Sequence, residues 1–502
     1  MGYRKISAVL LCFLSLLLAV PFGTSVKAEI CYPEEIDMSG EPYTVAIQVV
    51  TLPGIRNKNK ELLEAAINEI TVPAINCKVE LQEIWISDIV NTTNMAVAGN
   101  EKIDLVHVGT VQPLSSLTSS DILLDMNEGD LLQNHGGTLL ELFGDKLDCG
   151  KVKDRQLAVP ARTFNAAARG FVYNDQIARE AHLELSGTTT LDEMEEAFYA
   201  VHEQFPDIYP FYQGTGEINL LNWIEDYTVL GNEASCGIAC HQDGEYRVVN
   251  LYETEMFRDY CLRMYRWRRD GIQPGDPGDN TSTQEYFSQG KLFAMVSQID
   301  ANTMYYLVNQ DGRSMECTLL SEPEITNSNL TEYMWGIASN SRRPDKAMDF
   351  LNYAYTDERV ANLLMYGIPE ENYSYAGPSR KVIESNGSYN VTFMQIGNRE
   401  NMLIRTPADE SFPVRAGEFE AEAVVSPLCN YVFDFSDFQM EENMIYSTIM
   451  EYLPLLQCGI CGSEEETLEL LEEFNRMLEA AGIREVIEAN QKQLDDYMNR
   501  RE

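Results

Sequence analysis

The sequence predicts an α/β protein with a mostly helical C-terminal extension. Between Tyr43 and Gly109, apolar strand-like runs alternate with amphipathic helical ones. A second set of strands and helices runs from Gln156 to Val296, and beyond Ser426 the periodicity is helical to the end. Alternating strands and helices argue for a largely parallel sheet covered by helices.

The first strand is Val45-Ala46-Ile47-Gln48-Val49-Val50, ending in Thr51-Leu52-Pro53-Gly54. Leu62, Leu63, Ala66, Ile67 and Ile70 then mark a helix over 57–70. Val79–Ile84 and Asp104–Gly109 are further strands, with a helix over 87–98 between them. In open α/β sheets, ligands sit beyond the carboxyl ends of the strands, here Thr51–Gly54 and Gly109-Thr110.

Gln156–Pro160 and Gly170–Asp175 are the next strands. Thr190 opens a helix as its cap, with Glu193 completing a capping box. A helix over 255–270 carries Met256, Tyr260, Met264 and Trp267 on its apolar stripe, and Gln289–Val296 reads as a strand. Met334–Ile337 precedes two helices. Ala347, Phe350, Leu351 and Ala354 form one apolar face, Pro344 suits a first turn, Thr356 is placed to cap the second helix, and Gly367 stops it. Ser463 starts a further helix bearing Leu471, Phe474 and Leu478, and Gly482 separates it from the last.

Arg4 and Lys5 precede an apolar run over Ile6–Val20, and Val26-Lys27-Ala28 fits a cut before Glu29. This pattern predicts a secretory signal peptide over residues 1–28. Neither Cys12 nor Cys31 has the context of a lipid-attachment cysteine, so a lipid anchor is not expected. The 474 residues that remain suffice for about three domains of roughly 150 residues. They hold 34 basic against 79 acidic side chains, a net charge of −45, which opposes binding to nucleic acid or anionic membranes.

Ten cysteines follow the cut. Cys458-Gly-Ile-Cys461 and Cys236-Gly-Ile-Ala-Cys240 are candidates for local disulfides, with a zinc site or separate thiols as the other readings. The five histidines have no metal-pair spacing, and no GxSxG, HExxH, P-loop or GxGxxG motif occurs. No catalytic or cofactor role is expected.

The Trp335-Gly336 strand with its helix pair, Tyr173-Asn174-Asp175 and Gly290-Lys291-Leu292-Phe293-Ala294-Met295 resemble extracellular solute-binding proteins of family 1. Leu478–Ile483 with Gln491–Asp495 resembles the C-terminal domain of the LipO-like branch. The resemblance implies a two-lobed periplasmic-binding-protein-like fold of type II, hinged between its lobes. It implies a first lobe of residues 29–162 and 296–340, a second of 163–295 and 341–375, and a C-terminal domain over 376–502 packed on the lobes. It further implies an exported monomer that captures a small ligand, an oligosaccharide first, and presents it to the permease subunits of an ABC importer. A glycan-processing enzyme and a ligand sensor are the alternatives.

Sugars offer an apolar face to aromatic rings and hydroxyls to planar polar groups. On that chemistry and the family architecture, the expected ligand-binding residues are Trp335, Trp223, Arg162, Gln298, Asp300, Tyr212 and Tyr305. For Trp335 and Trp223, site and core are equally open. Trp267 reads as core, and Trp85, near a sheet end, is open between core and cleft.

Overall fold

The structure is a computed structural model. It describes residues 36–51, 57–109, 111–119, 121–185, 187–212, 227–230, 238–241, 246–274, 281–304, 315–389, 391 and 397–500. The first sheet takes β1 (Tyr43–Thr51), β2 (Cys77–Trp85), β3 (Leu105–Gly109) and β4 (Val159–Pro160). The chain then crosses to a second sheet with β5 (Ala167–Asn174), β6 (Tyr209–Phe211), β7 (Leu292–Asp300), β8 (Met315–Leu319) and β9 (Glu324–Ile325). It returns to the first sheet as β10 (Tyr333–Ile337) and crosses again to β11 (Val424–Val425) in the second.

The first sheet runs β2-β1-β3-β10-β4, parallel except for β10, which pairs antiparallel with β3 and β4. The second runs β11-β9-β5-β7-β6, with β8 also on β5. Here β7, β8 and β9 oppose β5, and β6 runs with β7.

Helices fill the faces. Between β1 and β2 lies α1 (Lys60–Ile75); α2 (Leu191–Gln204) and α3 (Glu255–Arg269) belong to the second lobe. Thr190 makes the full capping box expected of it. The helix pair α4 (Pro344–Ala354) and α5 (Glu358–Tyr366) forms as its apolar spacing predicts, with Pro344 in the first turn and Gly367 at the end. Asp357, not Thr356, caps α5: its carboxylate accepts from the N–H groups of Arg359 and Val360, while the Thr356 hydroxyl donates back to carbonyls of α4.

Two of the expected boundaries are corrected. The strands Leu292–Asp300, Met315–Leu319 and Glu324–Ile325 all lie in the second sheet, so the return to the first lobe falls between Ile325 and Tyr333. The helix pair belongs to the first lobe: Ala347, Phe350, Leu351, Ala354, Val360 and Leu364 share a core with Val45, Ile47, Leu63 and Ile67. The apolar faces of α4 and α5 meet the sheet that β10 has just joined.

Where α4 meets its neighbours, a charged cluster is buried. Lys346 is 1% exposed, and its ammonium donates to the carbonyls of Asp37 (2.7 Å) and Ile75 (3.0 Å) and pairs with Asp349 at 3.3 Å. The other Asp349 oxygen meets His135 Nδ1 at 2.7 Å. The Asp349 hydrogen bond, with the fields of Asp349 and Asp345, holds the His135 pKa above its ordinary 6.5, against burial and Lys346. This contribution is complete below pH about 6.5 and is lost as pH rises through the higher folded-state value. The melting temperature of the wild-type chain should therefore fall more steeply between pH 6 and 8 than that of His135→Gln; equal slopes would exclude the pair as the cause.

After α5 the chain forms a small sheet of Tyr373–Tyr375, Val382–Ser385 and Ile404–Arg405, then α6 (Phe412–Ala421). Beyond β11, three helices follow: α7 (Gln439–Gln457), α8 (Glu464–Ala480) and α9 (Ile483–Asn499). Cys240, Cys458 and Cys461 are free thiols, so the expected local disulfide of Cys458 and Cys461 is absent, and Cys236 lies outside the described residues. Gly459 lies against the backbone of Met264 and Tyr265, on the helix that also carries Cys261. Cys461 is close enough to Cys261 to help burial push that thiol up. No described helix is long and apolar enough to cross a membrane.

Candidate functional site: the facing carboxyl ends of two sheets

β1, β2, β3 and β4 end on one rim, and β4 passes straight into the first interlobe crossover, residues 161–166. In the second sheet, β6 and β7 end toward the same crossover, because Asp300 at the end of β7 pairs with Ala167 at the start of β5. The carboxyl ends of both sheets therefore meet at the hinge, the position where open α/β sheets bind ligands.

Three crossovers form that hinge. Asn165 in the first ties all of them together. Its N–H donates to Glu420 Oε2 of the third at 2.9 Å, and its side-chain amide donates to the Asn329 carbonyl of the second at 3.2 Å. Phe164 packs edge-on to Phe412 at 5.8 Å. At the rim of the first sheet, Gly109 has φ +147°, and a Cβ there would lie 2.0 Å from the Glu332 carbonyl oxygen. Only glycine admits that approach of the second crossover.

Of the expected site residues, the structure brings three to the hinge. Arg162 has its guanidinium engaged, donating to the Leu142 carbonyl at 3.0 Å and to Glu400 at 2.8 Å, while its carbonyl accepts from Arg399 N–H at 2.9 Å. Gln298 is exposed on β7. Asp300 accepts from Thr303 N–H at 2.6 Å and from the Asn302 amide at 3.1 Å; Asn302 in turn accepts from Arg399 at 2.9 Å. Tyr333 closes this group from the first sheet. Burial and the charges of Glu332 and Asp300 raise its hydroxyl pKa far above the ordinary value, against the opposing field of Arg399.

Two expected residues are core in this conformation, which corrects their placement. Trp335 is 1% exposed on the middle of β10, edge-on to His107 at 5.9 Å. Its indole faces the sheet–helix interior that also holds Ile47 and Leu351. Tyr212 is 5% exposed at the end of β6, edge-on to Tyr286 at 5.2 Å and packed with Phe287 and Leu292. Trp223 and Tyr305 lie outside the described residues.

Trp85, open between core and cleft in the sequence, reaches the rim of the first sheet. It stands at the carboxyl end of β2, paired with Thr51 of β1, and is 41% exposed. Its indole is the exposed tryptophan ring among the described residues. Strict alternation along β2 from Cys77 would turn residue 85 inward. The pairing with β1 runs unbroken to Thr51 opposite Trp85, so Trp85 keeps the face of Val79 and Leu81 and is exposed where the strand ends, while Ile84 on the opposite face is buried with Val50 and Ile89. The site thus offers an aromatic face, amide and carboxylate side chains, and a hinge. Among the described residues no cluster of three His, Cys, Asp or Glu side chains could hold a metal ion.

The architecture matches solved structures end to end. It superposes on the N-glycan transport solute-binding protein NgtS of Streptococcus pneumoniae with a TM-score of 0.76, over 91% of this chain and 100% of that one, at 18% identity. The same protein in complex with Man5GlcNAc gives a TM-score of 0.71, covering 92% and 99% of the two chains at 18% identity. This fold is that of a two-lobed solute-binding protein. A carbohydrate ABC transporter substrate-binding protein from the same organism is 21% identical over 461 residues, 89% of each chain. Residues 427–499 match a family described as a domain of unknown function, DUF3502.

Proposed function

We propose that this chain is the substrate-binding protein of an ABC importer and captures an oligosaccharide between its two lobes. It uses no covalent chemistry and passes the ligand to membrane permease subunits. The observation that carries this reading is the correspondence along nearly the whole chain with NgtS, a protein whose glycan-bound structures share the fold. The rim chemistry supports it. The ring of Trp85 suits the apolar face of a sugar, and Gln298 and Asp300, across the hinge, suit its hydroxyls. Trp223 and Tyr305 belong to the same proposed ligand set. The chain is exported after loss of residues 1–28, acts as a monomer on the outer side of the membrane, and belongs to the LipO-like branch.

Capture proceeds by rotation about the three crossovers, which brings the two rims together over the ligand. A thermal-shift screen of mannose- and GlcNAc-containing oligosaccharides against peptides and polyamines tests the ligand class. At 100 times its Kd, a ligand adds about 2.7 kcal/mol to stability. Stabilisation by the glycans alone, with the glycan recovered intact, supports capture; stabilisation by peptides or polyamines alone overturns the ligand class, and steady product formation overturns the mechanism.

A further inference from the structure

The C-terminal module holds the two lobes in different ways. Its seat on the second lobe is apolar and extensive: Phe433, Ile449, Leu453, Phe474, Leu478 and Val486 share one core with the Phe198, Phe257 and Trp267 region. Phe474 lies 4.8 Å from the Tyr252 ring, and Asn475 donates to the Tyr252 carbonyl at 2.9 Å. Gln491 on α9 accepts from Val248 N–H at 2.7 Å. A seat of this kind moves with the second lobe as one body.

Its hold on the first lobe is narrow and mostly polar. The first lobe offers a two-stranded hairpin, Lys151–Val152 with Arg155–Gln156, whose turn carries Lys153 and Asp154. Lys153 forms an ion pair with Asp434, which is 4% exposed. Arg500 reaches Asp154 at 3.8 Å, and Asn430 donates to the Asp145 carbonyl at 3.5 Å. Beneath these contacts Cys149 and Cys429 are buried in one apolar cluster with Leu330 of the second crossover. Asp434 is itself fixed by α9: its N–H donates to Gln493 at 3.0 Å, and its carbonyl accepts from the Gln493 amide at 3.2 Å. Its carboxylate also accepts from Ser436 N–H at 3.0 Å. The carboxylate is thus presented to Lys153 from a rigid mount.

We propose that the module of residues 427–499 is a clasp that sets the resting angle between the lobes, with Lys153 and Asp434 as its contact point. This gives a role to a segment whose matching family has none, and it rests on the reading that the lobes close on a ligand. The hairpin tip is a charged contact with the first lobe that lies outside the second lobe's core, so lobe rotation is restrained there. Asp434 is a positioning residue in this scheme, touching neither ligand nor rim.

Single-molecule energy transfer in the full ligand-free chain tests the clasp. The dyes sit on azido amino acids replacing Met95, on the first lobe and 69% exposed, and Glu184, exposed on the second. Lys153→Gln and Asp434→Asn should each broaden the interlobe distance distribution toward larger separations, and Lys153→Arg should restore the wild-type distribution. Because the Lys153 side chain is 62% exposed, its variants keep the fold even if Asp434→Asn does not. An unchanged distribution in folded Lys153→Gln overturns the clasp. The readout needs no ligand, so a chain that binds no glycan yet shows the broadening keeps the clasp and loses only the capture reading. Where glycan binds, the loosened variants should bind about 2- to 5-fold more weakly, since less of the population holds the competent angle.

Discussion

Replacing Trp85 with alanine is expected to weaken glycan binding about 10- to 100-fold while leaving the melting temperature nearly unchanged. The indole is 41% exposed at the end of β2, so the free protein loses little packing when it is removed. In the bound state the ring would be covered by the sugar. Burying a large side chain contributes roughly 1.5–3 kcal/mol, and each 1.4 kcal/mol is a factor of ten in affinity. Trp85→Phe keeps a flat apolar face and should lose far less. Isothermal titration of both variants against the glycan that binds wild type measures this. Wild-type affinity in Trp85→Ala would remove the ring from the site.

Trp335→Ala should do the opposite. Here the indole is 1% exposed between β10 and the first-lobe helices, so truncation leaves a cavity that the packed core cannot fully close. Losses of about 3–5 kcal/mol are usual for such a change. Denaturant unfolding should show that loss, and the molecules that remain folded should bind glycan with wild-type affinity. A stable Trp335→Ala chain that no longer binds would return Trp335 to the site.

The contrast between these two tryptophans shows what the sequence carried and where it stopped. Local pattern was enough for the strands Val45–Val50 and Asp104–Gly109, for the capping box at Thr190, and for the helix pair between Pro344 and Gly367. Gln298, Asp300 and Arg162, which lie at the hinge, are expected from the family architecture rather than from any local pattern. Which sheet the helix pair covers was not local. That depends on β10 pairing with β3, more than 200 residues earlier in the chain, and for this reason the lobe expected of the pair is the wrong one. Trp335 and Trp85 both sit in strand-like runs, and place along the strand, the middle for Trp335 and the carboxyl end for Trp85, decides which of them is exposed. The hinge groups Arg399, Asn302 and Tyr333 come from three distant segments, and no spacing rule joins them.

The acidic surface bears on ligand class only in part. Its charge disfavours anionic ligands held at long range, and salt screens such fields beyond about 10 Å at 0.1 M. Recognition of a neutral sugar depends instead on short contacts at the rim, so glycan affinity should change little with ionic strength.

Capture requires that the two lobes close on an intact glycan. Small-angle X-ray scattering of the full chain, without and with a saturating mannose- and GlcNAc-containing oligosaccharide, tests it most directly when paired with analysis of the glycan afterwards. Closure on an intact ligand should give a smaller radius of gyration in the complex, one glycan per chain, and a glycan recovered unchanged. A glycan that binds without any compaction, or that is recovered cleaved, would contradict it.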